Sequence, residues 1–133
     1  MTTIWARLYL GSFKDSEHLP TANPCGITTV VSLCKEVVRR ATTVSYVLPI
    51  ADSRPITVLR LNEIMSAIAD GVRRGNLLVH CVGGSSRSPI MIAAWFDRCG
   101  YADIDRALAE ISEVREIDPS PVLLKSVKER LTR

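Results

Sequence analysis

The sequence predicts an α/β domain: a central, largely parallel sheet of about four to five strands flanked by helices. Three observations carry this. Short apolar runs alternate along the chain with longer stretches of helical period. Two of those runs, "ITTVVSL" (27–33) and "NLLVH" (76–80), have the near-continuous apolar character of strands buried on both faces. At 133 residues the chain is long enough for one good core and too short for two, and no linker divides it, so residues 1–133 form one domain.

The elements follow in order. "IWARLYLG" (4–11) alternates loosely and ends at Gly11, as a strand and turn would. "DSEHLPTANPCG" (15–26) is a short helix or loop broken by Pro20 and Pro24. The β-branched run 27–33 is a buried strand. "TVSYVLPI" (43–50) alternates, with Val44, Tyr46, Leu48 and Ile50 on one side. From 55 to 75, Leu61, Ile64, Met65, Ile68 and Val72 recur at helical spacing, and Gly75 stops the helix. The strand 76–80 comes next. Ser88-Pro89 places a capping side chain and a proline in the order that starts a helix, and "IMIAAWFDRC" is apolar nearly all round until Asp97, so this helix is central. Gly100 ends it. Residues 103–116 begin at Asp103 and put Ile104, Ala107, Leu108, Ile111 and Val114 on one face; "SPVLLKSVKERL" (120–131) repeats the Ser-Pro start.

Composition excludes several classes. With 47% apolar and 23% charged residues the chain is globular rather than disordered. The net charge of +3 suits an anionic ligand but not nucleic acid as a main partner: the only basic doublets, in "VVRR" (37–40) and "VRRG" (72–75), have no aromatics interleaved. No apolar run approaches the length of a membrane span, and "MTTIWARLYLG" lacks the charged and apolar regions of a signal peptide. A cytoplasmic, monomeric protein is expected, with its four cysteines reduced.

The chemistry concentrates in "VHCVGGSSRS" (79–88), where strand, glycine-rich loop and helix start follow one another. Backbone N–H groups in such a loop converge on its centre, and the helix end adds partial positive charge, so the geometry binds anions. Gly83 and Gly84 let the backbone curl. Arg87 supplies a planar fork for two oxygens of a phosphoryl group. Cys81 stands where the same field favours a thiolate, which makes it a nucleophile aimed at phosphorus.

Cysteine, five residues, arginine, with histidine before and serine after, resembles the signature of the cysteine-based protein tyrosine phosphatases, and the chain is most similar to their small dual-specificity branch. "LYLGS" (8–12), "GITTVVSL" (26–33), "YVLPIADS" (46–53) and "VHCVGGSSRSP" (79–89) fall where that branch has its matching segments. The resemblance implies Cys81 as nucleophile, Arg87 as phosphate clamp, Ser88 as hydrogen-bond donor to the leaving thiolate, and His80 as the residue that orients the loop. The backbone of Val82, Gly83, Gly84, Ser85 and Ser86 would hold the phosphate oxygens. The leaving oxygen needs a proton. In the resembled branch an aspartate on the loop after the 43–50 strand supplies it, and Asp52 in "PIADSRP" fits that position; neighbouring Arg54 reads as a solvated loop residue. If the strands ending at Leu33, Ile50 and His80 run parallel, Cys34, Asp52 and Cys81 all emerge at their carboxyl ends, where open α/β sheets bind ligands. Some small relatives carry a second cysteine at the position of Cys34, which implies a redox partner for Cys81; a buried strand-end cysteine is the alternative. Cys25 and Cys99 read as core or near-surface fillers.

These residues imply a phosphomonoester hydrolase that works through a phosphocysteine and takes a phosphorylated protein or peptide. No cofactor and no metal are expected, since no His/Asp/Glu set clusters along the chain. The chain has no long insertion to build a deep tyrosine-selecting wall, so the resemblance implies a shallow pocket open to phosphotyrosine and phosphoserine/threonine. The loop lacks lysine, which argues against inositol lipids. RNA 5′-phosphatase activity stays open, and so does a phosphopeptide-binding pseudoenzyme, although the cysteine, arginine and aspartate are all present. Sulfur transfer fits Arg87 and Ser88 less well than phosphoryl transfer.

Overall fold

The computed structural model describes residues 1–19, 22–35 and 43–131. Five strands form one sheet: β1 (Thr2–Trp5), β2 (Leu8–Gly11), β3 (Ile27–Ser32), β4 (Val44–Val47) and β5 (Asn76–His80), in the spatial order β1-β2-β5-β3-β4. β2, β5, β3 and β4 run parallel, and β1 pairs antiparallel with β2. The helices are α1 (Phe13–His18), α2 (Val58–Arg74), α3 (Arg87–Arg98), α4 (Ile104–Ser112) and α5 (Pro121–Leu131).

β5 is central because its side chains are apolar on both faces. Leu77 and Val79 join the main core with Leu8, Leu10, Val31 and the inward faces of α2, α3, α4 and α5. Leu78 points the other way, into a smaller cluster with Leu19, Ile27 and Val30 beside the end of α1. The apolar circumference of α3 has the same cause: every residue from Ser88 to Phe96 is buried, because sheet, α2, α4 and α5 all pack on it.

Several expected boundaries move. The 4–11 segment is a hairpin rather than one strand: β1 begins at Thr2, and Arg7, at φ 68°, turns the chain. α1 starts at Phe13, ahead of the expected 15, because Ser12 and Asp15 form a reciprocal capping box. β4 ends at Val47, ahead of the expected Ile50, since Pro49 has no N–H for the ladder. The chain nevertheless stays beside β3, with Leu48 N–H on Ser32 O and Ile50 N–H on Leu33 O. Tyr46, Leu48 and Ile50 pack on the core as expected, but Val44 is exposed. α4 stops at Ser112 instead of 116, and Val114, expected on its apolar face, is 58% exposed. α3 starts at Arg87, with Ser86 in the capping position, so Ser88 lies inside the first turn and is not the cap. Pro20 and the 39–40 basic doublet lie outside the described residues. Among the described residues no helix is long and apolar enough to cross a membrane.

Candidate active site

The parallel strands bring Leu33, Ile50 and His80 to one end of the sheet, and Cys34, Asp52 and Cys81 follow them there. Cys81 is 2% exposed, and its Sγ lies 3.3 Å from Oγ of Ser88, which is fully buried in the first turn of α3. The early start of α3 explains that contact: as a cap, Ser88 would turn its hydroxyl to the helix backbone, whereas inside the turn it faces the sulfur.

The loop between them is defined by where its carbonyls go. Cys81 O accepts from His80 Nδ1 at 3.2 Å, and Val82 O from Phe13 N at 3.0 Å. Gly83 O and Gly84 O accept from the Arg115 guanidinium at 3.5 and 2.9 Å. Ser85 O accepts from Asp118 N at 2.7 Å, and Ser86 O from Ile90 N at 3.1 Å. Six consecutive carbonyls thus point outward to donors. In a trans peptide the next N–H points the opposite way, so the N–H groups of Val82 through Arg87 turn inward. Among the described residues none of those of Val82–Ser86 meets a protein acceptor. They form a ring of donors at the N-terminus of α3, an arrangement suited to a tetrahedral oxyanion. Gly84 needs its missing side chain: its φ is +71°, and a Cβ there would sit 2.7 Å from Gly11 O.

His80 is fixed on both sides. A carbonyl only accepts, so Nδ1 carries the proton toward Cys81 O. In the neutral ring Nε2 then accepts from the Ser32 hydroxyl at 2.7 Å. On the other flank the capping box of α1 sets the Phe13 N–H that meets Val82 O. Burial works to raise the pKa of Asp15 in that box. The Ser12 N–H, together with the hydrogen bond and charge of the Met1 ammonium, outweighs burial and leaves the carboxyl below its ordinary value.

Two residues tie the Asp52 loop to the ring. Ser86 Oγ donates to Asp52 Oδ1 at 2.6 Å while accepting from Ser120 N at 2.8 Å, and Arg87 Nη1 donates to Ile50 O at 3.2 Å. Arg87 and Val82, with Cys34, Lys35, Pro49, Ile50 and Ala51, line a cavity of about 360 Å³. A larger hollow of about 770 Å³ lies between β4 and α2, but its lining has neither a thiol nor a donor loop, so the smaller one, lined by Cys34, Val82 and Arg87, is the candidate site. Cys34 is buried, with its Sγ 4.0 Å from His80 Nδ1. Arg54 is exposed, as are Asp52 and Cys99, and Cys25 is half-buried.

The structure therefore gathers Cys81, His80, the 82–86 backbone, Arg87, Ser88, Asp52 and Cys34 at one end of the sheet. Sequence reasoning missed Arg115, Asp118 and Ser120, which hold the loop from outside. It also missed the side chain of Ser86, which meets Asp52. The reading of 103–116 as one helix placed Arg115 on a helix surface. The only signal against it was "REIDPSP", where prolines four and six residues after Arg115 announce an irregular connection.

A family model described as "Swiss Army Knife protein, DSP-PTPase phosphatase domain" matches residues 7–124. Dual specificity protein phosphatase 15 of Homo sapiens is 28% identical over 132 residues, covering 92% of this chain and 43% of that protein. The chain spans about two fifths of the length of the curated relatives it matches. Human DUSP28 superposes with a TM-score of 0.84 at 20% identity, over 99% of this chain and 96% of that one. A mouse putative dual specificity phosphatase complexed with zinc tungstate also gives 0.84, at 22% identity, over 98% and 86%. These two likenesses establish the fold.

Proposed function

Since this chain belongs to the DSP-PTPase phosphatase-domain family, we propose that it hydrolyses phosphate monoesters through a phosphocysteine. The observation that supports this most is the ring of inward N–H groups closed over a buried thiol and bounded by Arg87. In the first step the Cys81 thiolate attacks phosphorus in line. The S–P bond forms, the P–O ester bond breaks, and Asp52 gives its proton to the leaving oxygen. In the second step Asp52 takes a proton from water, whose oxygen attacks phosphorus. The S–P bond breaks, Ser88 donates to the departing thiolate, and inorganic phosphate leaves. The N–H ring and the Arg87 fork carry the charge on the equatorial oxygens, so the sequence of steps calls for no metal or cofactor.

The substrate is a phosphorylated protein or peptide. The walls of the cavity are short (Pro49, Ile50, Ala51 and Val82), which favours a shallow site that takes phosphotyrosine and phosphoserine/threonine alike. The tungstate bound to the mouse relative is in keeping with an oxyanion site on this fold. The domain works as a monomer in a reducing compartment. Cys34 is the redox partner of Cys81: peroxide converts the Cys81 thiolate to a sulfenic acid, the Cys34 thiol attacks that sulfur and expels water, and a dithiol reduces the resulting disulfide. Recovery from peroxide in Cys34→Ser as complete as in the parent protein would remove this role.

Turnover of an aryl phosphate in the presence of a chelator tests the main reading. The parent protein hydrolyses it at an unchanged rate, and vanadate inhibits. A strict metal requirement, or no turnover at all, contradicts the proposal.

A further inference from the structure

The geometry points to Arg115 as the positioning residue of the phosphate cradle: from outside, its guanidinium sets the peptide planes whose N–H groups bind the substrate's oxyanion. The inference rests on the reading of Cys81–Arg87 as a phosphate site and extends it to a side chain that never touches substrate.

Arg115 follows α4 directly, half-buried, and reaches back 31 residues to the loop. Its Nε donates to Gly84 O at 2.9 Å, and its Nη2 makes a longer contact with Gly83 O at 3.5 Å. Its Nη1 donates to Thr2 Oγ1 at 2.9 Å and lies 3.5 Å from Leu10 O. One planar group therefore joins β1, the end of β2 and the middle of the loop. The middle is where the loop needs a holder. Its first carbonyls are fixed by His80 and Phe13, and its last by Asp118 and by α3 itself, all through groups set by the backbone or an adjacent ring. Gly83 and Gly84 are the two residues with no side chain to restrict them, and Gly84 occupies the left-handed region. Without the guanidinium the 83–84 and 84–85 peptides are free to rotate, which turns carbonyl oxygens toward the anion in place of N–H groups. Packing supports the same arrangement, since a Cβ on Gly84 would lie 2.4 Å from Arg115 Nη2.

The shape of guanidinium matters as well as its charge. Nε and Nη1 address different segments in one plane, which a lysine ammonium cannot do. Thr2 is part of the device, because its hydroxyl accepts from Nη1 and fixes the plane.

The test compares the parent protein with Arg115→Met, Arg115→Lys and Thr2→Val. The readouts are calorimetric affinity for orthovanadate, kcat and KM for an aryl phosphate, and the pH profile of Cys81 alkylation, each at a temperature where circular dichroism shows the variant folded. Arg115→Met is expected to bind vanadate about tenfold or more weakly, as loss of a charge-assisted contact predicts. KM should rise and kcat fall together, and the alkylation profile should move to higher pH. Added guanidinium should restore part of the affinity. Arg115→Lys should recover little of it, and Thr2→Val should show a smaller loss of the same kind. If Arg115→Met does not fold, the other two variants carry the test. A folded variant set with lower melting temperatures but parental vanadate affinity, KM and alkylation profile overturns the assignment and leaves Arg115 a structural residue. A parent protein that neither binds vanadate nor turns over aryl phosphate overturns the phosphatase reading itself, and this inference with it.

Discussion

Asp52 is held by a hydroxyl that belongs to the Cys81–Arg87 loop. Ser86 Oγ reaches it at 2.6 Å across 34 residues of sequence, so the proposed acid is tied to the loop that follows the proposed nucleophile before substrate arrives. Two outcomes follow for leaving groups. Asp52→Asn slows alkyl and unactivated aryl phosphates by about 10²–10⁴, the usual worth of a general acid, and slows an activated aryl phosphate far less. Ser86→Ala shows the same selectivity at smaller size, because it loosens the acid without removing it. Rates against leaving-group pKa check both; equal losses across the series would take Asp52 out of the role. Arg87→Lys also fails, since an ammonium cannot reproduce the fork. The placement of Cys81 and Arg87 together was legible in the sequence because it depends on a short spacing within one loop. Ser86 and Arg115 were not, because each acts through a partner brought near only by the fold.

At the scale of elements, the sheet's parallel core was legible because β3 and β5 are apolar on both faces. The hairpin partner β1 was not: its exposed and half-buried residues alternate on an edge strand, where the hydrophobic signal is weak. The start of α3 was misplaced for a different reason. Ser88-Pro89 has the chemistry of a helix start, but α3 begins one residue ahead of it, with Ser86 in the capping position and no side-chain cap hydrogen bond, so the cap chemistry the sequence offers is not used. α2 gives two further tests. Gly71 lies on its inner side, and a Cβ there would meet Leu77 Cδ1 at 2.8 Å and Thr29 Cγ2 at 3.2 Å. Helix propensity favours alanine by about 1 kcal/mol, while overpacking a fixed core costs about 1–3 kcal/mol. Gly71→Ala is therefore net destabilising by up to about 2 kcal/mol, which denaturant unfolding measures. Asp70, also on α2, accepts from Tyr46 of β4 at 2.5 Å and pairs with Arg73 and Arg74. The Tyr46 hydrogen bond chiefly, with the charges of Arg74 and Arg73, outweighs desolvation and holds the Asp70 carboxyl below its ordinary value. A carboxyl lowered on folding stabilises the fold above its unfolded pKa of about 3.9 and loses that contribution as the pH falls through the lower, folded value. Tyr46→Phe should raise the Asp70 titration midpoint in an NMR titration and flatten the acid limb of melting temperature against pH. An unmoved midpoint would show that the phenol does not hold this carboxylate.

At the scale of the molecule, function follows from parallel strands. Because β2, β3, β4 and β5 all end on one side, four separate segments deliver their groups to one point: Phe13 after β2, Cys34 after β3, Asp52 beyond β4, and Cys81 after β5. The α4–α5 connection then closes over the outside of the loop, with Asp118 N on Ser85 O and Ser120 N on Ser86 Oγ. The main core beneath rests on side chains buried completely, among them Leu10, Leu77, Ile90 and Met91, which keeps these ends in register. The central claim is that phosphate passes through Cys81. The most direct measurement is mass spectrometry of protein mixed briefly with an activated aryl phosphate and quenched in acid. The account predicts a phosphate adduct on the peptide that carries Cys81, present in the parent protein, accumulating further in Asp52→Asn as dephosphorylation slows, and missing from Cys81→Ser. Turnover with no adduct on Cys81, or substantial turnover in Cys81→Ser, would contradict it.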